Sequence, residues 1–270
     1  IFMPIEKGLN NKIIQIPSDI GSDLIATVYA LGYLRKIGGN ITEINQLTEY
    51  AKNLITNIIQ RQNNDGGWSW CGIDLSMQSD IYVSSRNLWA LSEARKHGLN
   101  VNPGTIDRAI AFLNKAFANV EQNDNNAKSV ILHALSNVNE ADFSYANRLY
   151  RSRNELSPSA LAYSALTFIN LNRNEISGEI LDVLVNKKLE SMDIETIALG
   201  LLAMEEIKPE SSLVKVWLEY ILSRYTIYGL YQHRAKGPVV AALATYYTKT
   251  QFSKNDYSLK VLVNGESVRN

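Results

Sequence analysis

Two kinds of helix alternate along this chain, and the alternation constrains the fold more than any other feature. One kind is apolar nearly all round and rich in Ala or Gly, as in 160–171, 196–204 and 239–247. The other carries its apolar residues on a single stripe, as in 106–117 and 213–221. A helix that is apolar all round must be enclosed by neighbours, whereas a one-sided helix covers a core from outside. The sequence therefore predicts an inner layer of helices wrapped by an outer layer.

The spacing of the enclosed helices predicts how the two layers are arranged. They begin near residues 23, 80, 124, 158, 193 and 238, a loose period of roughly 35–55 residues that is typical of helix-pair arrays. The expected fold is all-α, an α/α toroid of six inner and five or six outer helices. A sixth outer helix would precede residue 23, where residues 2–16 show no clear helical period. The predicted helices cover about 23–37, 43–61, 80–97, 105–120, 125–137, 140–150, 158–171, 176–189, 193–207, 211–224 and 238–249.

The C-terminal tail has a different period. Residues 257–263 alternate with a period of two, which is typical of a strand, and Asn264-Gly265 is a strong hairpin signal. The return strand has barely begun at Asn270, and a lone hairpin is marginally stable in water. We therefore expect residues 1–255 to form the toroid and residues 256–270 to begin a following β-domain of a longer protein.

Composition excludes several classes of function. The 27 Lys and Arg residues balance 27 Asp and Glu residues, so the chain lacks the basic excess of a nucleic-acid binder. Its longest apolar runs, such as 197–204, fall well short of the ~20 residues that span a bilayer. Cys71 is the only cysteine, which rules out an internal disulfide framework and a cysteine zinc cluster. We expect neither a nucleic-acid partner nor a membrane span.

A turn motif separates the second and third predicted helices. Its Asn-Asp-Gly-Gly sequence ends a helix and forms a tight turn that needs positive φ. The first tryptophan can pack back across the helix ends, and the glutamine can bond the free backbone groups of the last helical turn. We predict a structural turn of a helical repeat, with ligand stacking by the tryptophans as the alternative. The candidate residues are Gln62, Asp65, Gly66, Gly67, Trp68 and Trp70.

Tyrosines crowd the last loop and the last predicted helix. Tyrosine packs well at the rim of a core because one end of its ring is apolar and the other is polar. Tyrosine is also enriched at the centres of protein interfaces, so a protein-contact face is the alternative. The candidate interface residues are Tyr225, Tyr228, Tyr231 and His233.

The Gln-x-x-Asp-Gly-Gly-Trp turn resembles the recurring turn of α/α-toroid proteins, namely terpenoid cyclases, protein prenyltransferases and the thioester domain of the alpha-2-macroglobulin and complement family. The adjoining segments 68–70, 79–84 and 88–91 are similar to the bacterial alpha-2-macroglobulin pattern. The segment 217–265 resembles the last repeat of that domain running into the Val-Asn-Gly strand of the next β-sandwich. The resemblance spans roughly residues 20–268.

The resemblance implies a domain of a large alpha-2-macroglobulin-like protein that traps proteases or defends the cell envelope. Its implied partners are the neighbouring macroglobulin-type domains of the same longer chain and a protease. The implied location is periplasmic, envelope-anchored or secreted. The family thioester joins the Cys of Cys-Gly-Glu-Gln to its Gln, whereas here Asp74 stands three residues after Cys71. Because ammonia cannot leave from a carboxylate, we expect a free thiol at Cys71 and a non-covalent, non-enzymatic role.

Toroid enzymes carry motifs that this sequence does not contain. Neither Asp-x-Asp-Asp nor Asp-Asp-x-x-Asp, the acidic motifs of terpenoid cyclases, occurs, and the three histidines show no zinc-ligand spacing. We expect no catalytic residues, no metal site and no cofactor. The alternative function is an α/α-toroid enzyme acting on a polysaccharide or isoprenoid substrate. A deep central cavity lined by paired carboxylates would favour the enzyme, and a filled apolar centre would favour a binding module.

Overall fold

A computed structural model of the chain describes residues 17–70, 78–224 and 233–250 and two short strands at 262–263 and 266–267. These parts contain eleven α-helices, each overlapping a helix predicted from the sequence. The helices are α1 Pro17–Lys36, α2 Ile41–Gln60, α3 Ile81–Lys96, α4 Pro103–Asn119, α5 Asn125–Ser136, α6 Phe143–Arg151, α7 Pro158–Asn170, α8 Asn174–Val185, α9 Ile194–Ile207, α10 Ser212–Ser223 and α11 Lys236–Thr250.

The odd-numbered helices form a closed inner ring. Each of α1, α3, α5, α7, α9 and α11 packs against the next, and α11 returns to pack against α1. The even-numbered helices lie outside: α2, α4, α6 and α8 each pack against both inner helices that flank them in sequence, and α10 packs against α9. The all-α prediction of an α/α toroid is therefore confirmed, with six inner and five outer helices in the described residues.

Eight of the eleven described α-helices begin after a polar residue whose side chain caps the helix. Asp80, for example, accepts a hydrogen bond from the backbone N–H of Val83 at 2.8 Å. Such a cap satisfies one of the backbone donors that a helix leaves free at its first turn. The residues that cap a helix in this way are Asn40, Asp80, Asn102, Asp124, Asp142, Ser157, Asp193 and Ser211.

Inner and outer helices differ in burial as their compositions predict. Every residue from Ala160 to Phe168 of the inner helix α7 is buried. The outer helix α4 buries only Thr105, Ile106, Ala109 and Leu113, which form one stripe. Small residues such as Ala and Ser let the inner helices approach each other on all sides, and the outer helices contribute one apolar face each. The main core is accordingly continuous around the ring.

Polar contacts between residues more than two hundred positions apart accompany the packing that closes the ring. The Ser22 hydroxyl of α1 lies 3.0 Å from the carbonyl oxygens of both His233 and Arg234 and accepts the backbone N–H of Gly237 at 2.8 Å. Lys236, at the start of α11, forms an ion pair with Asp23 at 2.6 Å. Since these contacts join the beginnings of α1 and α11, the two helices run parallel. We call the end of the ring where inner helices begin the N-terminal face, and the opposite end the C-terminal face.

The first helix begins at Pro17, about six residues before its predicted start near residue 23. Gly21 accounts for the difference, because glycine disfavours a helix and reads as a helix boundary. In the structure a Cβ at Gly21 would lie 2.5 Å from Oδ1 of Asn87, so the close contact between α1 and α3 requires glycine inside the helix.

The two described strands of the tail pair with each other. Leu262–Val263 runs antiparallel to Glu266–Ser267, and Val263 pairs with Glu266 across the two intervening residues. This pairing is that of the hairpin expected at Asn264-Gly265. The division of the chain at residue 255 stays a prediction. Of the described helices, none has the combination of length and apolar character needed to cross a bilayer.

Candidate functional site

The turn after α2 ties three helices together through Trp68 and Gln62. Trp68 is fully buried; its indole Nε1 donates to the Ile58 carbonyl of α2 at 2.8 Å, and its backbone N–H donates to the Ser84 hydroxyl of α3 at 2.8 Å. The Gln62 amide donates to the carbonyl oxygens of Gly66 and Thr105, at 2.8 and 2.9 Å, rather than to the last turn of α2. The turn therefore connects α2, α3 and the start of α4.

The two glycines of the turn lie where no side chain fits. Gly66 has φ of +91°, and a Cβ there would collide with the backbone carbonyl of Arg108 in α4. A Cβ at Gly67 would lie 2.5 Å from Cβ of Ser79. Asp65 closes the turn from the other side, because its Oδ1 accepts the Gly67 N–H at 3.0 Å and the Ser79 hydroxyl at 2.7 Å. The side chains of Gln62, Asp65 and Trp68 thus all have protein hydrogen-bond partners.

The remaining sequence candidates differ in exposure. Trp70 keeps 44% of its surface exposed and lies at the N-terminal face, between α2 and α3. His233 is also exposed, and its backbone carbonyl faces Ser22 at the ring closure. Three other candidates, Tyr225, Tyr228 and Tyr231, lie outside the described residues, and so does Cys71.

Sequence reasoning missed a buried ion-pair network at the N-terminal face. Glu195 of α9 binds Arg86 of α3 at 2.6 Å and Arg234 at 3.2 Å, and it accepts the Tyr163 hydroxyl of α7 at 3.0 Å. Arg86 also donates to the Arg234 backbone carbonyl. Only 8% of the Glu195 side chain and 10% of the Arg86 side chain are exposed. Burial and the neighbouring Glu195 carboxylate raise the pKa of Tyr163 well above its ordinary value.

The middle of the ring is filled by aromatic side chains. His133 of α5 packs edge-on against Trp89 of α3, with ring centroids 4.9 Å apart, and against Tyr163 of α7 at 5.3 Å. All three side chains are buried. On their N-terminal side remains a cavity of about 10 Å³, room for no more than one water molecule. The ring axis is therefore plugged rather than open.

An open pocket of about 210 Å³ lies on the other side of this plug, at the C-terminal face. Trp89 and His133 form its floor. Every inner helix, or in the case of α5 the residue that directly follows it, contributes a polar group to the wall. These residues are Tyr29, Glu93, Asn137, Asn170, Glu206 and Thr245.

The acidic side chains of the pocket wall are paired with lysines. Glu93 binds Lys96 at 2.7 Å, and Glu206 binds Lys249 at 2.5 Å. The Lys96 ammonium also donates to Asn137 at 3.1 Å. Because both carboxylates are held by an ammonium group, the pocket does not present the pair of unoccupied carboxyl groups that glycoside hydrolysis needs.

The pKa values of His133 and Glu205 are also shifted strongly. Burial opposes protonation of His133 and, with the nearby Lys96 charge, lowers its pKa to about 3. Burial opposes ionisation of Glu205 and raises its pKa to about 9, which the Lys249 charge offsets only in part. Both groups are therefore neutral at pH 7. Among the described residues no group of three or more His, Cys, Asp or Glu side chains is arranged to hold a metal ion.

Comparison with solved structures shows where this architecture occurs. The chain superposes on native alpha-2-macroglobulin from Escherichia coli, solved from domain MG7 to the C-terminus, with a TM-score of 0.70 over 90% of this chain and 15% sequence identity. This ring has the fold of a bacterial alpha-2-macroglobulin region. The fold that the sequence resemblance implied is thereby confirmed. By sequence alone the chain matches no protein-family profile and no curated protein.

Two further alpha-2-macroglobulin structures superpose on the chain to a similar extent. Salmonella alpha-2-macroglobulin reacted with methylamine gives a TM-score of 0.70 over 90% of this chain at 15% identity. Trypsin-activated alpha-2-macroglobulin from Escherichia coli gives a TM-score of 0.66 over 88% of this chain at 15% sequence identity. The present chain spans 42% of the Escherichia coli fragment and 17–18% of these two longer chains. The part that it matches in each of those proteins is thus one region of a longer chain.

Proposed function

We propose that this chain is a non-catalytic domain of a large alpha-2-macroglobulin-like protein that takes part in protease trapping or envelope defence through protein contacts. The observation that carries the proposal is the superposition of the whole ring on bacterial alpha-2-macroglobulin. Its partners are the neighbouring macroglobulin-type domains of the same longer chain and, after activation, a protease. Its location is the periplasm, the cell envelope or the extracellular space.

The ring itself supports a binding role over a catalytic one. Trp89, His133 and Tyr163 fill the axis where a toroid enzyme would place its substrate. The turn that carries the sequence motif uses its polar groups for internal hydrogen bonds. The sequence places Asp74 where a thioester would need glutamine, so covalent capture of a protease through Cys71 is not part of the proposal.

The N-terminal face is the surface that we assign to the neighbouring domains. Trp70 and Tyr82 lie there with 44% and 41% of their surfaces exposed, and exposed aromatic residues are enriched at protein interfaces. The ion-pair network that includes Arg234 lies at the same face as Trp70. Packing against another domain would remove these aromatic rings from water.

Hydroxyl-radical footprinting of the parent protein and of the isolated chain tests the proposal. We expect Trp70 and Tyr82 to be oxidised more slowly in the native parent protein than in the isolated chain. Cleavage of the parent by a protease should restore their reactivity. Tyr145, 41% exposed on the outer helix α6, is the internal control and should react equally in all states. Equal reactivity of Trp70 and Tyr82 in all three states would contradict the proposal.

A further inference from the structure

The turn between α1 and α2 presents two isoleucines to solvent at the C-terminal face of the ring. Ile37 directly follows α1 and is 43% exposed, and Ile41 begins α2 and is 68% exposed, the largest exposed fraction among the exposed large apolar side chains of the described residues. Both isoleucines lie outside the two apolar clusters of the core. We call residues 37–41 the tip. Its apolar side chains remain in water, where apolar surface is unfavourable.

The backbone of the tip has a defined conformation. Gly38 has φ of +68°, and the Gly39 N–H donates to the Leu34 carbonyl at 2.8 Å, an arrangement typical of a helix that ends at a glycine. The Asn40 side chain then caps α2, since it accepts the Thr42 N–H at 2.8 Å. A Cβ at Gly38 would meet no atom within 4 Å. The tip is therefore an ordered turn that faces open space.

Basic side chains adjoin the tip. Arg35 and Lys36 precede it in the last turn of α1, and Arg95 lies in the last turn of α3. The Arg35 guanidinium donates to the His97 carbonyl at 3.0 Å, which places the end of α3 beside the end of α1. Among the described residues, no carboxylate lies within ion-pair distance of Arg35, Lys36 or Arg95. A single acidic residue, Glu43, follows in the first turn of α2, so the surroundings of the tip are positively charged.

We propose that the tip binds the surface of an anionic lipid bilayer. The two isoleucines enter the interface, and the three basic side chains contact the headgroup phosphates. Binding of this kind adds apolar burial to electrostatic attraction and needs no complementary pocket. A stable protein interface buries about 800 Å² on each side, more than two side chains on one turn present.

The membrane proposal is separate from the role assigned to the N-terminal face. It depends on the exposure and the charge of the tip, not on the likeness to alpha-2-macroglobulin. The tip and the N-terminal face lie at opposite ends of the ring, so a neighbouring domain and a bilayer can be bound at the same time.

Cosedimentation of the full 270-residue chain with lipid vesicles tests the proposal. The probes are vesicles of phosphatidylcholine with about 30% phosphatidylglycerol, and vesicles of phosphatidylcholine alone as the neutral control. We expect saturable binding to the anionic vesicles and binding at least about tenfold weaker to the neutral ones. Raising the NaCl concentration from about 0.05 M to about 0.5 M should weaken the binding to anionic vesicles, because salt screens the attraction.

Substitutions separate the apolar and the electrostatic contributions. Ile37→Ser combined with Ile41→Ser should weaken binding to anionic vesicles about tenfold or more, since apolar groups no longer enter the interface. Lys36→Gln should weaken it about fivefold, the loss expected for one basic residue near the surface. Val216→Ser is the matched control: Val216 is 48% exposed on the outer helix α10, and this variant should bind as the unaltered chain does. Circular dichroism verifies that each variant is folded.

Brominated lipids, which quench tryptophan fluorescence inside a bilayer, show whether the tip enters the interface. Fluorescence of the Ile41→Trp variant should be quenched more than that of the unaltered chain, and Val216→Trp should add no quenching. Absence of saturable binding to anionic vesicles would overturn the proposal and favour a protein partner for the tip. Equal binding to neutral vesicles, binding that the double isoleucine change leaves intact, or a bound Ile41→Trp variant without added quenching would overturn it as well.

Discussion

Replacement of Trp68 by phenylalanine tests whether the sequence motif is a structural device. The indole is fully buried and donates to the Ile58 carbonyl at 2.8 Å. Loss of this hydrogen bond should cost about 1 kcal/mol, since the carbonyl still accepts the backbone N–H of Arg61 at 3.2 Å. The smaller ring also leaves a cavity, which adds about 1–2 kcal/mol. We therefore expect the free energy of unfolding to fall by about 2–3 kcal/mol.

Trp70 provides the matched control within the same motif. It is 44% exposed, so Trp70→Phe should change the free energy of unfolding by no more than about 0.5 kcal/mol. Urea unfolding followed by circular dichroism at 222 nm measures both variants, with an unchanged urea dependence as the check that unfolding remains two-state. Equal losses for the two variants, or a loss below about 1 kcal/mol for Trp68→Phe, would refute the reasoning.

Three further substitutions carry predictions. Gly66→Ala should destabilise the chain by about 3 kcal/mol or more, because a Cβ there meets the Arg108 backbone. Gly98 also has a positive φ but has open space around it, so Gly98→Ala should cost only about 1–2 kcal/mol. Urea unfolding of the two variants compares these losses. The folded chain holds the pKa of Glu205 well above its value in the unfolded chain, so the unaltered chain loses stability as the pH rises above that unfolded-state pKa. Glu205→Gln should therefore be as stable as the unaltered chain near pH 4 and more stable by about 1–3 kcal/mol at pH 7. The pKa of His133 is lowered, so the neutral ring contributes its full stability above about pH 6.5, and this stability is lost as the pH falls. His133→Gln has no such loss, so between pH 6 and pH 5 its free energy of unfolding should rise by about 1.4 kcal/mol relative to that of the unaltered chain. Parallel plots of the free energy of unfolding against pH would contradict this prediction.

The helical ring could be predicted because the distribution of apolar residues around each helix indicates whether that helix is enclosed. Ala160–Phe168 reads as apolar on all sides and proves buried on all sides. The stripe in α4 reads as one-sided and buries one side. These patterns, with the capping residues that precede eight of the described helices, are local properties of the sequence. The start of α1 could not be predicted, because the close contact that favours Gly21 involves Asn87, far along the chain.

The polar groups at both faces of the ring could not be predicted, for a related reason. Glu93, Glu195 and Glu205 read as ordinary surface charges of a helix, yet each is at most 6% exposed. The convergence of six helices on one axis buries them, and that convergence is a tertiary property. His133 gave a weak signal, since it lies within the apolar run of α5, but its position between Trp89 and Tyr163 depends on the ring.

A double-mutant cycle between Asp23 and Lys236 tests most directly whether the ring is closed. The two residues are 213 positions apart, and their charged groups lie 2.6 Å apart only because α11 packs against α1. We predict a coupling free energy of about 1 kcal/mol between Asp23→Asn and Lys236→Gln in urea unfolding. The same Asp23 change combined with Lys208→Gln, which removes a partner of Asp182 instead, should be additive. Additive effects of Asp23→Asn and Lys236→Gln would contradict a closed ring.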